Sequence, residues 1–318
     1  MARSTFYYHT RPRGGDRWES ARAEVASVYH ENRGRYGYRR ITAEMRRRGR
    51  VINHKTVRRL MSEAGLKCEV RMRRYRSYRG EAGKTAPNVI ARDFRADRPL
   101  RKLATDVTEF SILGVKRYLS PVLDMYNGEI LHYTLRDRPI LGMVTDMLEG
   151  LFSRHPDLAG AVLHSDQGWQ YRHGTYQGML AAGGVTQSMS RKGNCLDNAV
   201  MENFFGLLKS ELLYLRGFDS VEEFDRELRL YIEYYNGRRI KERLGWMSPV
   251  QYRLAMCRGG DHPGHRRRNK PSPAATRRRS GRLGLKAVLP ALVARRPGRH
   301  FAYTEQIRIF GSQFTNGE

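Results

Sequence analysis

A carboxylate set inside an otherwise apolar strand constrains this chain more than any other feature. Lys102-Leu-Ala-Thr-Asp106-Val-Thr-Glu-Phe110 alternates and is rich in β-formers, so it reads as one strand with Asp106 at its middle. A charge there faces low dielectric unless a cation or hydrogen bonds compensate it. Asp166 stands in a comparable place, at the end of the short apolar strand Ala161-Val-Leu-His-Ser-Asp166 and just before Gln167-Gly168. Glu202 lies in Asp197-Asn-Ala-Val-Met-Glu202-Asn-Phe-Phe-Gly206-Leu-Leu-Lys209, which reads as a helix. Asp197 or Asn198 is expected to cap its start. Val200, Phe204, Leu207 and Leu208 fall on one stripe expected to bury, and Glu202, Gly206 and Lys209 line the other side.

One such carboxylate is ordinarily a structural hydrogen-bond acceptor. Three brought together by a sheet and a packed helix repel one another unless metal ions sit among them. Oxygen-only ligation with few protein ligands suits Mg or Mn, which keep waters and coordinate phosphate oxygens. Two such ions about 4 Å apart can activate an attacking oxygen and stabilise a leaving one in phosphoryl transfer.

The surrounding pattern supplies the sheet. Tyr118–Met125 and Glu129–Thr134 read as strands joined by the Asn127-Gly128 turn signal. A helix is expected from about Ile140 to Phe152, another from Thr175 to Ala182, and a last strand over Val185–Met189. Three strands in a meander followed by alternating helices and strands predict an α/β layer with a mixed five-stranded sheet. Asp124 falls on a strand beside Asp106 and Glu211 on the packed side of its helix, where a salt bridge is expected. His164 flanks Asp166, within reach of a phosphate or of a structural hydrogen bond.

The 318 residues carry a formal net charge of +27, unevenly spread. Residues 1–95 hold 25 Lys/Arg against 9 Asp/Glu, residues 96–257 hold 20 of each, and residues 258–318 hold 14 against 3. A neutral middle with basic flanks implies a polyanion partner, nucleic acid rather than a membrane surface, for which no amphipathic anchor is present. No apolar run approaches the ~20 residues of a membrane helix. The start has no signal-peptide core, and the 3 cysteines form no CxxC pair, so a cytoplasmic chain without structural zinc is expected.

In the basic N-terminal part, Arg17–Asn32, Ile41–Arg48 and His54–Ala64 read as three helices, with Asn53 as a cap and Gly65 as a stop. The third buries Val57, Leu60, Met61 and Ala64 and gathers Lys55, Arg58, Arg59 and Ser62 on its outer face. That is the arrangement of a helix-turn-helix whose second helix enters the major groove, although a plain three-helix packing unit has the same pattern. The expected organisation is a helix-turn-helix region over 1–68, a basic linker over 69–95 and the catalytic core over 96–215. A helical and aromatic extension over 216–257 and a basic, disordered tail over 258–318 complete it.

These motifs together resemble the integrase-like (DDE) transposases of bacterial insertion sequences, of the orfB type. Ala-Thr-Asp106-Val-Thr, His-Ser-Asp166-Gln-Gly and Asp-Asn-Ala-Val-Met-Glu202-Asn-Phe-Phe-Gly-Leu-Leu-Lys-Ser-Glu resemble that family's acidic triad. The 35 residues between Asp166 and Glu202 match the spacing of retroviral-type integrase cores. Tyr36-Gly-Tyr-Arg-Arg-Ile and Asn236 to Tyr252 are similar to the family's helix-turn-helix region and to the end of its catalytic region. The resemblance covers about residues 4–253.

It implies an RNase H-like core in which Asp106, Asp166 and Glu202 hold two divalent ions, Mg or Mn. It implies attack of a transposon 3′-hydroxyl on a DNA phosphodiester without a covalent protein–DNA intermediate. Lys209 would touch the terminal DNA backbone with Asn203 beside it, and Arg191 and Lys192 would lie in a loop over the site. The implied partners are the transposon's terminal inverted repeats, target DNA, further copies of the chain on DNA and an upstream-frame protein, acting in the bacterial cytoplasm at the nucleoid. Family members usually carry a further part upstream of the segment resembling Ser4–Tyr8, and residues 258–318 match nothing in the family. The same metal site would serve a nuclease that hydrolyses without joining, and a repressor with an inactive core would share the helix-turn-helix.

Overall fold

The computed structural model describes residues 16–70, 86–191 and 195–257. The expectations for residues 1–15 including Ser4–Tyr8, for residues 71–85 of the linker, for Lys192 and for the tail from 258 lie outside the described residues.

Helices α1 (Glu19–Glu31), α2 (Tyr38–Arg47) and α3 (His54–Glu63) form the N-terminal unit. Apolar spacing dictates its core: Val25, Val28, Ile41, Met45, Val57 and Leu60 are wholly buried. Asn53 caps α3 as expected, its side chain accepting from the Lys55 N–H at 2.8 Å. This core is shared with a segment distant in the chain, because Ile240 packs into it. Tyr36 Oη accepts from the Ile240 N–H at 3.0 Å and donates to the Arg238 carbonyl at 3.3 Å.

Six strands follow: β1 (Lys102–Thr105), β2 (Thr108–Ile112), β3 (Val115–Asp124), β4 (Ile130–Arg136), β5 (Val162–Ser165) and β6 (Thr186–Met189). The five-stranded expectation is corrected at Asp106, where the first strand breaks in two. β1 and β2 keep one register along β3, from Leu103↔Asp124 to Thr105↔Val122 and on from Thr108↔Leu119. That register sets Asp106 opposite Pro121, which has no N–H to close the rung. β3 and β4 are antiparallel, while β1, β5 and β6 run parallel, so the sheet is mixed as expected.

The pleat sends neighbouring residues to opposite faces. Ala104, Leu119 and Leu123 face a core built with α7 (Ala199–Leu208) and α8 (Val221–Gly237). Leu103, Val122 and Leu163 face the other core, built with α4 (Leu141–Arg154), a short α5 (Trp169–Arg172) and α6 (Gly174–Ala182). A last helix, α9 (Pro249–Cys257), packs on α8. Residues 86–95, expected in the linker, pack on the core instead. Ile90 is buried there, and the Val89 N–H donates to Ser188 Oγ at 3.0 Å.

Two expectations for α7 change. Its wholly or largely buried residues are Met201, Phe204, Phe205 and Leu208, whereas Val200 and Leu207 are only half-buried. The buried stripe is therefore rotated by one residue towards Met201 and Phe205. Neither Asp197 nor Asn198 caps the helix, because both side chains are engaged elsewhere.

Past Leu208 the helix widens into a π-turn, Lys209–Leu213, that delivers Glu211 into the interior. Glu211 takes two hydrogen bonds from Arg239, at 2.6 and 2.8 Å, and one from Tyr231 Oη at 3.1 Å. Arg35 donates to the Glu211 carbonyl at 3.0 Å. The expected salt bridge thus becomes a buried knot joining the N-terminal unit, the α7 extension and the segment after α8. Replacing Glu211 by Ala strands the Arg239 guanidinium in the interior, and should cost about 3–5 kcal/mol in urea unfolding. A loss below about 1 kcal/mol, the scale of an exposed pair, would contradict this role.

Candidate functional site

Each carboxylate is placed by a local backbone necessity. Asp106 sits at the ladder break, where its own Oδ1 accepts from the Val107 N–H at 2.8 Å. Asp166 follows the last residue of β5, and its Oδ1 accepts from the Gly168 N–H at 2.9 Å. Because β1 and β5 are parallel neighbours, both carboxylates emerge at the same end of the sheet. Burial, followed by the charge of Asp166, holds the Asp106 carboxyl well above the usual carboxylate range, and Glu202 adds to the effect. Burial raises Asp166 too, opposed by the Gly168 N–H and Arg172. Burial alone raises Glu202.

None of the three forms an ion pair among the described residues. Nor do they close into a group of three metal-ligating side chains among those residues. The structure therefore brings Asp106 and Asp166 together and leaves Glu202 beside them, close enough to act on Asp106 through its charge. A pair of half-buried carboxylates that repel each other, with oxygen donors only, fits a hard divalent cation.

The free face of α7 is open as expected: a side chain added at Gly206 would meet nothing within 4 Å. Lys209 is half-buried, its ammonium 5.6 Å from the centre of the Phe110 ring. Burial lowers its pKa, and the charges of Glu109 and Asp106 resist that. Asn203, next to Glu202, is exposed.

Sequence reasoning passed over Asn198, whose Nδ2 donates to Asp106 Oδ2 at 3.0 Å while its Oδ1 is buried without a partner. The residue stands within the quoted motif, but a cap was the simpler role for it. Asp197 is the anchor of this corner. Its carboxylate takes hydrogen bonds from Arg191, Arg92 and Asn88, and the first two hold it well below the usual carboxylate range. Arg191, expected over the site, is thus tied to the start of α7, with its side chain 57% exposed.

The remaining expectations resolve into structure. His164 is buried between Ser188 Oγ at 2.9 Å and Ser190 Oγ at 3.2 Å, so it is a structural hydrogen-bonding group. Asp124 accepts from the Leu100 and Tyr126 N–H groups, and burial pushes it up to about 6. Lys55, Arg58, Arg59 and Ser62 are all exposed on α3, with Arg59 3.5 Å from Glu63. Beside them, α2 and the 245–246 turn enclose a cavity of about 560 Å³ lined by Tyr38, Arg39, Arg46, Arg47, His54 and Trp246. That aromatic and basic groove was not read from the sequence, because Trp246 is remote in the chain.

Three family models match the chain: an HTH-like domain over residues 16–75, and the integrase core domain over residues 96–195 and again over 202–255. A putative transposase of the insertion sequence element IS150 from Escherichia coli K12 is 53% identical over 254 residues, covering 80% of this chain and 90% of the relative. An uncharacterized transposase-like protein of Haemophilus influenzae is 47% identical over 204 residues, covering 64% of this chain and 93% of that one. Among solved structures, a chain of the simian T-cell lymphotropic virus intasome is a distant likeness, at 15% identity and a TM-score of 0.43 over 82% of this chain and 80% of that one. With its HTH-like domain, its integrase core and relatives of this identity, the chain belongs to the insertion-sequence transposases and is a DNA transposase with an integrase core domain.

Proposed function

We propose that this DNA-binding polynucleotidyl transferase uses Asp106, Asp166 and Glu202 to hold two divalent ions, Mg or Mn, and joins a transposon 3′ end to target DNA. The observation that carries the reading is the Asp106–Asp166 pair, two carboxylates at one sheet end that repel each other with no ion pair among the described residues. When bound, such ions would lower the pKa of an attacking hydroxyl and stabilise the leaving oxygen. The protein's own part is to fix the carboxylates. The break opposite Pro121 and the Asn198 hydrogen bond orient Asp106. The Gly168 N–H orients Asp166, and the Asp197 clamp sets the start of α7 and hence the reach of Glu202.

Around this centre, Lys209 and Asn203 would meet the DNA backbone beside Glu202, with Arg191 and Lys192 from the preceding loop. Lys55, Arg58, Arg59 and Ser62 on α3 would read the terminal inverted repeats in the major groove. The working assembly would be several copies of the chain on paired ends and target DNA, with an upstream-frame protein, at the nucleoid in the cytoplasm. No helix of the described residues is long and apolar enough to cross a membrane.

Glu202→Gln should abolish Mg-dependent strand transfer between oligonucleotides bearing the repeats while leaving DNA affinity within about twofold, a difference under ~0.5 kcal/mol. Retained joining by this variant would refute the assignment of Glu202, and cleavage without joining by the wild type would identify a nuclease. Reversing Lys55, Arg58 and Arg59 to Glu should weaken duplex binding by about tenfold or more and flatten its salt dependence. Unchanged binding would reduce α3 to a packing element.

A metal-free test concerns the pair itself. Burial and repulsion raise Asp106 in the folded protein, so its ionisation costs stability that is present at low pH and lost as pH rises through the raised value. Asp106→Asn should therefore raise the melting temperature of the chelator-treated protein at neutral pH by a few degrees, about 1 kcal/mol. Mg should raise the melting temperature of the wild type but not of the variant. Equal Mg responses would place the ion elsewhere.

A further inference from the structure

The rotation of the α7 stripe leaves an unexplained surface. Val200 and Leu207, which spacing assigns to the core, are half-buried because they wall a cavity of about 400 Å³. Phe204 and Tyr235 complete its apolar side. Asn203, also in the wall, follows Glu202 by about 100° of helix rotation, so the cavity opens beside the face that carries the carboxylate.

The opposite side is basic. Lys241 and Arg243 converge on Gly128: a Cβ there would lie 2.7 Å from Lys241 Nζ and 2.7 Å from Arg243 Nη2. Lys241 is buried and donates to neutral oxygens, Tyr235 Oη at 2.8 Å and the Gly128 carbonyl at 3.2 Å. Among the described residues neither cation pairs with a carboxylate, and Glu242, which also lines the cavity, pairs with neither. Arg40, half-buried, reaches the same cavity from α2 with only a 3.9 Å approach to Glu211. Two like charges drawn to one point without an anion between them are costly, and a phosphate placed there relieves both.

We propose that this cavity binds one nucleotide of the DNA strand led past Glu202, with its phosphate against Lys241 and Arg243 and its nucleoside against the Val200–Phe204–Leu207 wall. The inference rests on the reading of the acidic residues as the DNA-joining centre, and names where that DNA goes next. An apolar wall beside paired cations suits an unpaired nucleotide, which offers a flat base face and a single phosphate, better than a rigid duplex. Burial, with Arg243 and Arg239, pushes the Lys241 ammonium well below its usual range, and an arriving phosphate would favour its charged form.

The test uses the full chain in chelator, so it does not depend on metal chemistry. Fluorescence anisotropy with a labelled oligothymidylate measures single-strand affinity for the wild type, Arg243→Glu and Val200→Trp. Arg243 is exposed and forms no ion pair among the described residues, so its reversal spares the fold; Val200→Trp fills the cavity without changing charge. Both variants should melt as the wild type and bind about tenfold more weakly, roughly the worth of one stacked base or phosphate contact. Wild-type affinity in Val200→Trp would overturn the proposal, and so would a loss confined to Arg243→Glu, which would reflect charge alone. Strand transfer by the wild type alongside unaltered binding in both variants would sink the cavity and spare the acidic centre. Absent strand transfer with weakened binding in both would do the reverse.

Discussion

The repulsion between Asp106 and Asp166 is the constraint on which the rest of the site depends. Burial raises both carboxyls and the charge of Asp166 raises Asp106 further; Lys209 and Arg172 oppose this only from a distance, because neither carboxylate forms an ion pair among the described residues. The sheet tolerates this because the backbone around each residue is already interrupted. Asp106 lies where Pro121 leaves a rung open, and Asp166 lies where β5 has ended. A strand that continued through Asp106 would point its carboxylate into one of the two cores. The break turns a packing liability into a rigidly held pair of oxygen donors.

Glu202 enters from a different layer, and its placement depends on both ends of α7. At the start, Asp197 gathers Arg92, Arg191 and Asn88, which ties the helix to the segment before β1. At the far end the π-turn carries Glu211 into contact with Arg239 and with Arg35 of the N-terminal unit. The helix bearing the third carboxylate is thus strung between the DNA-binding unit and the core.

Much of this was legible in the residues. Alternation and turn signals located the strand regions, with β1 and β2 read as one, and Asn127-Gly128 marked the hairpin because glycine takes a φ of 75° there. Asp106 and Asp166 were singled out because charge in apolar surroundings needs a reason, and Glu202 because it lines the free face of its helix with Gly206 and Lys209. What could not be read was whatever depends on distant partners. The ladder break at Asp106 requires knowing that Pro121 faces it across the sheet. Asp197 and Asn198 have the composition of caps, but Arg92 and Asp106 outbid the helix N-terminus for them. The α7 stripe was misplaced by one residue because Val200 and Leu207 are as apolar as Met201 and Phe205. The cavity that Val200 and Leu207 wall is completed by residues far along the chain, Lys241 and Arg243 among them.

The most direct test of the account is anomalous diffraction from crystals of the protein bound to Mn in place of Mg. The account requires Mn between the carboxylates of Asp106 and Asp166, with the Glu202 carboxylate drawn into coordination. Mn bound elsewhere, or bound by the aspartates while Glu202 stays outside its coordination sphere, would contradict the triad as the chemical centre.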